Sequence, residues 1–159
     1  MKVRTTALAA IALLATAAVA SAKTNVLTGT VTKQPGSTVK VGVKLSKQGV
    51  ASKVMTFSLA NVTSTCSNRR GDRIPGKTVT SATLGTFKVN KTKPAGTKTY
   101  YYSVFKSVNV DGNQWNVEAT FSSKTGRKLA GTASFNYPDP DPNGGGTCEG
   151  GGKFSVKVK

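Results

Sequence analysis

The sequence predicts an all-β fold: an antiparallel β-sandwich, or partly open barrel, of about eight strands after a cleaved signal peptide. Three observations predict it. Apolar residues recur at every second position in one run after another. Thr, Val and Tyr, which suit a pleated and half-buried surface, are plentiful. Beyond the N-terminal segment, no stretch of twelve residues carries helical spacing.

Residues Met1–Ala22 have the layout of a secretory signal. Lys2 and Arg4 supply the charged start, Ala7–Ala20 the short apolar run, and Ala20-Ser21-Ala22 a small-residue cleavage site. The run is shorter than the roughly 20 residues a membrane span requires. No cysteine lies near the cut, so a lipid anchor is not expected. Cleavage after Ala22 leaves residues 23–159, read as a single all-β domain of 137 residues. That length suffices for one hydrophobic core.

The strands follow in order. Val26–Val31 opens the domain, and Val39, Val41, Val43 and Leu45 alternate with polar or small residues in the second run. Met55, Phe57 and Leu59 alternate through Val54–Val62, and Phe87 and Val89 mark a short strand at Gly85–Val89. Asp111-Gly112 is a two-residue hairpin signal between Tyr100–Val110 and Asn113–Ser123. Such a turn sets Tyr102 opposite Phe121, Val104 opposite Ala119 and Val108 opposite Trp115, all on one face. The next turn, Lys124-Thr125-Gly126, needs Gly126 in the left-handed region. It pairs Phe121 with Leu129, Val117 with Ala133 and Trp115 with Phe135. The resulting meander runs from Tyr100 to Tyr137. Lys106 breaks its pattern by pointing inward opposite Val117, so it must snorkel or mark a bulge. Phe154, Val156 and Val158 alternate in the last strand. Ser46–Lys53, Cys66–Ala82, Asn90–Thr99 and the Pro/Gly tract Pro138–Gly152 read as loops.

The two cysteines, Cys66 and Cys148, allow one pairing, and an exported chain meets an oxidising compartment, so a disulfide is expected. Closing the 82-residue separation would be worth roughly 4–5 kcal/mol in the chain-entropy account.

The chain carries 23 Lys and Arg against 6 Asp and Glu, a net charge of +17 that falls to +15 when Lys2 and Arg4 are removed. Lysines dominate and are spread along the chain; beyond the signal the arginines are Arg69, Arg70, Arg73 and Arg127. Lysine is a hydrated point charge poorly suited to bidentate base readout, and no recognition helix or motif appears. Nucleic acid is therefore not an expected partner. The charge reads either as a solvated cationic surface that keeps the protein soluble, or as loose electrostatic retention on an anionic cell-wall polymer, exopolymer or membrane surface.

Catalysis finds little to work with. Without histidine, neither a Ser-His triad nor a histidine-ligated zinc site can be assembled. Of the six acids, only Glu118 sits inside an expected strand, against the two flanking carboxylates a glycosidase needs. No enzymatic activity and no cofactor are expected. Asp139-Pro140-Asp141-Pro142-Asn143-Gly144 opens like a calcium loop, but its twelfth position is Gly150 and both aspartates precede proline. It reads better as a surface loop leading to Cys148. Arg70-Gly71-Asp72 spells an integrin tripeptide, and Asn61-Val62-Thr63 and Asn90-Lys91-Thr92 are glycosylation sequons; each is a short match with no supporting context.

On the outward face of the meander, Tyr101 and Phe105 stand among hydroxyl, amide and acidic groups that include Asn116 and Glu118. Aromatic rings that stack on sugar C–H surfaces beside polar groups make this face a candidate glycan platform.

Several short motifs occur in a familiar order: Cys66, Leu84-Gly85-Thr86-Phe87, Ala119-Thr120-Phe121-Ser122, Gly131-Thr132-Ala133, and Cys148-Glu149-Gly150 before Phe154. In this the chain resembles a group of small secreted single-disulfide β-sandwich proteins of actinobacteria. The resemblance spans Val54–Lys159. It implies the sandwich fold and the Cys66–Cys148 pairing, and brings neither an established activity nor site residues. The expectation is a secreted, monomeric, non-enzymatic module associated with the cell envelope through its charge, or alternatively a carbohydrate-binding module.

Overall fold

A computed structural model describes residues 23–67, 70–139 and 146–159. The signal segment and most of the Asp139–Gly144 tract lie outside the described residues. The described chain is all-β, with ten strands: β1 (Thr24–Val31), β2 (Thr38–Leu45), β3 (Ala51–Ser67), β4 (Arg73–Thr83), β5 (Phe87–Lys88), β6 (Asn90–Thr92), β7 (Tyr101–Val110), β8 (Asn113–Phe121), β9 (Lys128–Pro138) and β10 (Thr147–Val158). Among them no helix is long and apolar enough to cross a membrane.

All ten belong to one antiparallel sheet in the order β4-β3-β2-β1-β10-β9-β8-β7-β6, with β5 on β3. A further β3–β10 pairing closes β1, β2, β3 and β10 into a small barrel, from which β9, β8, β7 and β6 continue as a wing. The meander has the register its turns dictate. Tyr102 faces Phe121, Val108 faces Trp115, and Trp115 faces Phe135. Asp111, Gly112 and Gly126 all take positive φ, as their turns require. Pairing runs unbroken past Lys106 opposite Val117, so the half-buried lysine snorkels and no bulge forms.

All four expected loops are corrected in part, Ser46–Lys53 because β3 already opens at Ala51. Cys66–Ala82 is the end of β3 plus the eleven-residue β4, and Asn90–Thr92 forms β6. β4 is an edge strand exposed along nearly its whole length, so it shows no apolar alternation. Pro75 is tolerated there because an edge strand can spare an amide donor. Thr147–Gly152, expected within a loop, opens β10. Met55, expected to point inward, is exposed: Gly42 pairs with Thr56 and Val43 with Val54, which leaves Met55 as the extra residue of a bulge.

One core cluster joins barrel and wing. Phe57 stacks on Phe87 at 5.2 Å and meets Phe154 edge-on at 5.5 Å, while Trp115 lies on Phe135 at 4.5 Å. Tyr137, on β9, reaches the barrel: its hydroxyl sits 2.9 Å from Ser64 Oγ and accepts from the Lys77 amide at 3.0 Å. Because Phe57 is fully buried between two rings, Phe57→Ala should cost about 3–5 kcal/mol. Urea unfolding should show a lower midpoint with unchanged slope.

Candidate functional site

The sheet's outer face carries the exposed chemistry. Along β7 the side chains of Tyr101, Ser103, Phe105 and Ser107 project outward. Phe105 is 64% exposed and Tyr101 49%. Register sets Glu118 directly opposite Phe105, and Asn116 opposite Ser107. Three of the four residues expected as a glycan platform therefore stand together. Tyr101 lies four residues from Phe105, about 13 Å along the strand. It lines a separate groove of about 500 Å³ with Tyr100, Thr120 and Lys124.

Strand register also organises the lysines. Lys44 pairs with Lys53, and Lys53 with Lys88, so three ammonium side chains follow one another across β2, β3 and β5. Lys128 pairs with Lys157, and Lys40 faces Thr28, the other neighbour of Lys157. All six are exposed. Lys40 lies towards the other end of β2, while Lys44, Lys53, Lys128 and Lys157 mark the same ends of β2, β3, β9 and β10. Lys124 and Arg127 in the β8–β9 turn belong to that end too. The turn is docked there: Ala51 N donates to Lys124 O at 2.7 Å and Val158 N to Arg127 O at 2.9 Å. The acids lie elsewhere among the described residues. Asp72, Asp111, Asp139 and Glu149 mark the opposite strand ends, and Glu118 is inside β8. Directly opposed like charges on a sheet are destabilising, so the basic end is arranged against its own interest.

At the other end is a junction where two strands change partner. β3 leaves β2 after Ala60 and meets β10 at Ser64–Cys66, with Asn61 between them in the left-handed region at φ 54°. β10 pairs with β3 through Gly150 and with β1 from Phe154. The Gln34 side chain, from the β1–β2 turn, fills the gap. Its Oε1 accepts from Thr63 N at 2.9 Å, and its Nε2 donates to Gly151 O at 2.9 Å and to Thr63 O at 3.3 Å. Beside it opens a groove of about 490 Å³, lined by Gln34, Thr63, Thr65, Arg73, Ser134, Asn136 and Glu149 and floored by Gly150–Gly152. A Cβ on Gly150 would stand 2.4 Å from the Phe135 ring, and one on Gly151 2.1 Å from Ala133 O. The floor must therefore stay bare.

Cys66 and Cys148 face each other across β3 and β10, Cα atoms 4.0 Å apart and sulfurs at bonding distance, 1.97 Å. The bridge staples the barrel where β3 and β10 share only three residue pairs. An Asp139 carboxylate oxygen lies within 4.8 Å of both sulfurs. Joined to each other, these sulfurs offer no thiolate, and the trio is not a metal-ligand set. Residues 140–144 of the calcium-loop-like tract lie outside the described residues. Asp72 and Arg70 flank Gly71 (φ 85°) in the β3–β4 connection.

Neither the lysine rows nor the Gln34 junction is visible in the sequence, because both depend on which strands become neighbours. No protein-family model matches this chain, and no curated protein or solved structure was found to be similar to it. Gln34→Ala should leave the Thr63 amide and the Thr63 and Gly151 carbonyls without their side-chain partner. Water can reach the exposed Thr63 groups, so a loss of about 0.5–1.5 kcal/mol is expected, checked by thermal melting, with faster hydrogen exchange at the Thr63 amide.

Proposed function

We propose that this protein is an exported, non-enzymatic module that associates with an anionic polymer of the cell envelope through the basic strand ends. The observation that carries this reading is the Lys44–Lys53–Lys88 row, with the Lys128–Lys157 pair in a second row four residues away in register along β1. Three directly opposed ammonium groups repel one another in the free protein. A polyanion laid across them turns that repulsion into attraction and releases its own counterions. Lysine suits this task, since a flexible point charge follows irregular phosphate or carboxylate spacing without demanding bidentate geometry. The signal-like Met1–Ala22 segment and the Cys66–Cys148 bridge support an extracytoplasmic location.

Retention on immobilised polyphosphate tests it. The protein should bind at about 0.05 M salt and elute by about 0.5 M, where the Debye length has shrunk to a few ångströms. The triple variant Lys44→Gln, Lys53→Gln, Lys88→Gln should elute at clearly lower salt while melting no lower than the parent. A control triple of equal charge change, Lys33→Gln, Arg73→Gln, Lys77→Gln, should elute near the parent. Equal shifts for the two triples would show that net charge, not the rows, governs retention.

A second reading, carbohydrate binding at the outer face of β7 and β8, is favoured by Phe105, the most exposed of the large apolar side chains, with Glu118 opposite it. Phe105→Ala should abolish any salt-resistant binding to purified cell-wall glycan. If such binding persists unchanged, the ring takes no part.

A further inference from the structure

The junction groove continues into a row of polar side chains that crosses five strands. Asn109 pairs with Gln114, Gln114 with Asn136, Asn136 with Glu149, and Glu149 with Thr65. Three amides, a carboxylate and a hydroxyl thus follow one another on the outer face, one strand spacing of about 4.8 Å apart. The row ends at Arg73, whose guanidinium donates to Thr65 Oγ1 at 3.1 Å. Ser134, Asn136 and Glu149 side chains have no hydrogen-bond partner among the described residues. Gln34, by contrast, is fastened on both ends of its amide. The site combines a fixed wall with free polar groups over a floor that carries no side chains.

From this arrangement we infer that the row and its groove bind a neutral, hydroxyl-rich chain, an oligosaccharide running across β7 to β3. Four features select that class. The groove, about 490 Å³, falls within the usual range for ligand sites. The strands around it already pair with one another, so a peptide cannot add as another strand. Phe135 beneath the floor is only 1% exposed, so the groove offers no apolar wall to a greasy ligand. Glu149 stands against Lys33 and Arg73 in the lining, so the groove presents no block of one sign to hold a polyion. The amides donate to and accept from sugar hydroxyls and the Glu149 carboxylate accepts from them, and their spacing is close to the advance of a sugar chain by one ring. The inference is independent of the basic strand ends. It shares a ligand class with the Phe105 reading but places the site on different residues.

Amide chemical-shift mapping tests it on the full domain, using cellohexaose and xylohexaose as chains and cellobiose as the short control. At least one hexasaccharide should shift Thr65, Asn136 and Gly150–Gly152, with affinity unchanged at about 0.5 M salt. Cellobiose should bind at least about tenfold more weakly, because it spans too few positions of the row. Asn136→Ala, at a half-buried position on the outer face, should weaken binding by about tenfold. Ser134→Trp, at an exposed position, should block the groove while leaving the melting temperature unchanged. The inference fails if neither hexasaccharide shifts these residues, if shifts concentrate at Tyr101–Phe105 or the lysine rows, or if salt abolishes binding.

Discussion

The fold depends on how β3 and β10 exchange partners. Each strand holds two different neighbours along one edge, and at the exchange the ladder necessarily runs out of backbone partners. Buried or half-buried amides and carbonyls cannot be left in that state without a cost comparable to a lost hydrogen bond. The Gln34 amide takes the place of the missing strand, since a primary amide has the same donor and acceptor pair as a peptide unit. Asn61 bends β3 into the corner, and the bare Gly150–Gly152 segment lets β10 turn against Phe135 and Ala133. The disulfide then fixes the short β3–β10 pairing just beyond the corner.

That corner also sorts the surface. Strand ends on one side of it collect lysines, and those on the other collect most of the described acids together with the amide row. One end is therefore basic and the other of mixed charge, since Lys33 and Arg73 stand there with Glu149. An anionic polymer and a neutral glycan would meet opposite ends of the same sheet. A wall matrix that carries both chemistries would be engaged by one molecule in two places, which raises effective concentration for the second contact.

Much of the architecture was legible in the sequence, for identifiable reasons. The meander could be read because Asp111-Gly112 and Gly126 each fix a turn type, and each turn places Trp115, Val117 and Phe135 on a common face. Two independent signals agreed there. β4 was not legible because an exposed edge strand has no buried side to impose alternation, and Pro75 argues locally against a strand. Met55 misled because a bulge shifts the inward phase by one residue, which periodicity cannot anticipate. The outer-face candidates Tyr101, Phe105, Asn116 and Glu118 all lie on the face the hairpin register assigns them, with Tyr101 apart from the other three. The lysine rows and the polar row were hidden, since Lys44, Lys53 and Lys88 become neighbours only through pairings that join separate hairpins and β5. Gln34 was hidden too: a turn glutamine gives no hint that it will substitute for a strand.

The position of β10 has a consequence for the order in which the chain can fold. The last of the ten strands to be made sits at the centre of the sheet, between β1, the first of them, and β9. Until it emerges, β1 and β2 have no closed ring and β9 presents an unpaired edge. A nascent chain therefore holds open strands throughout synthesis, and ring closure is a late, long-range event of the slow kind. A secretory route that keeps polypeptides extended until they are complete would suit such a topology, because premature collapse could satisfy only half of it.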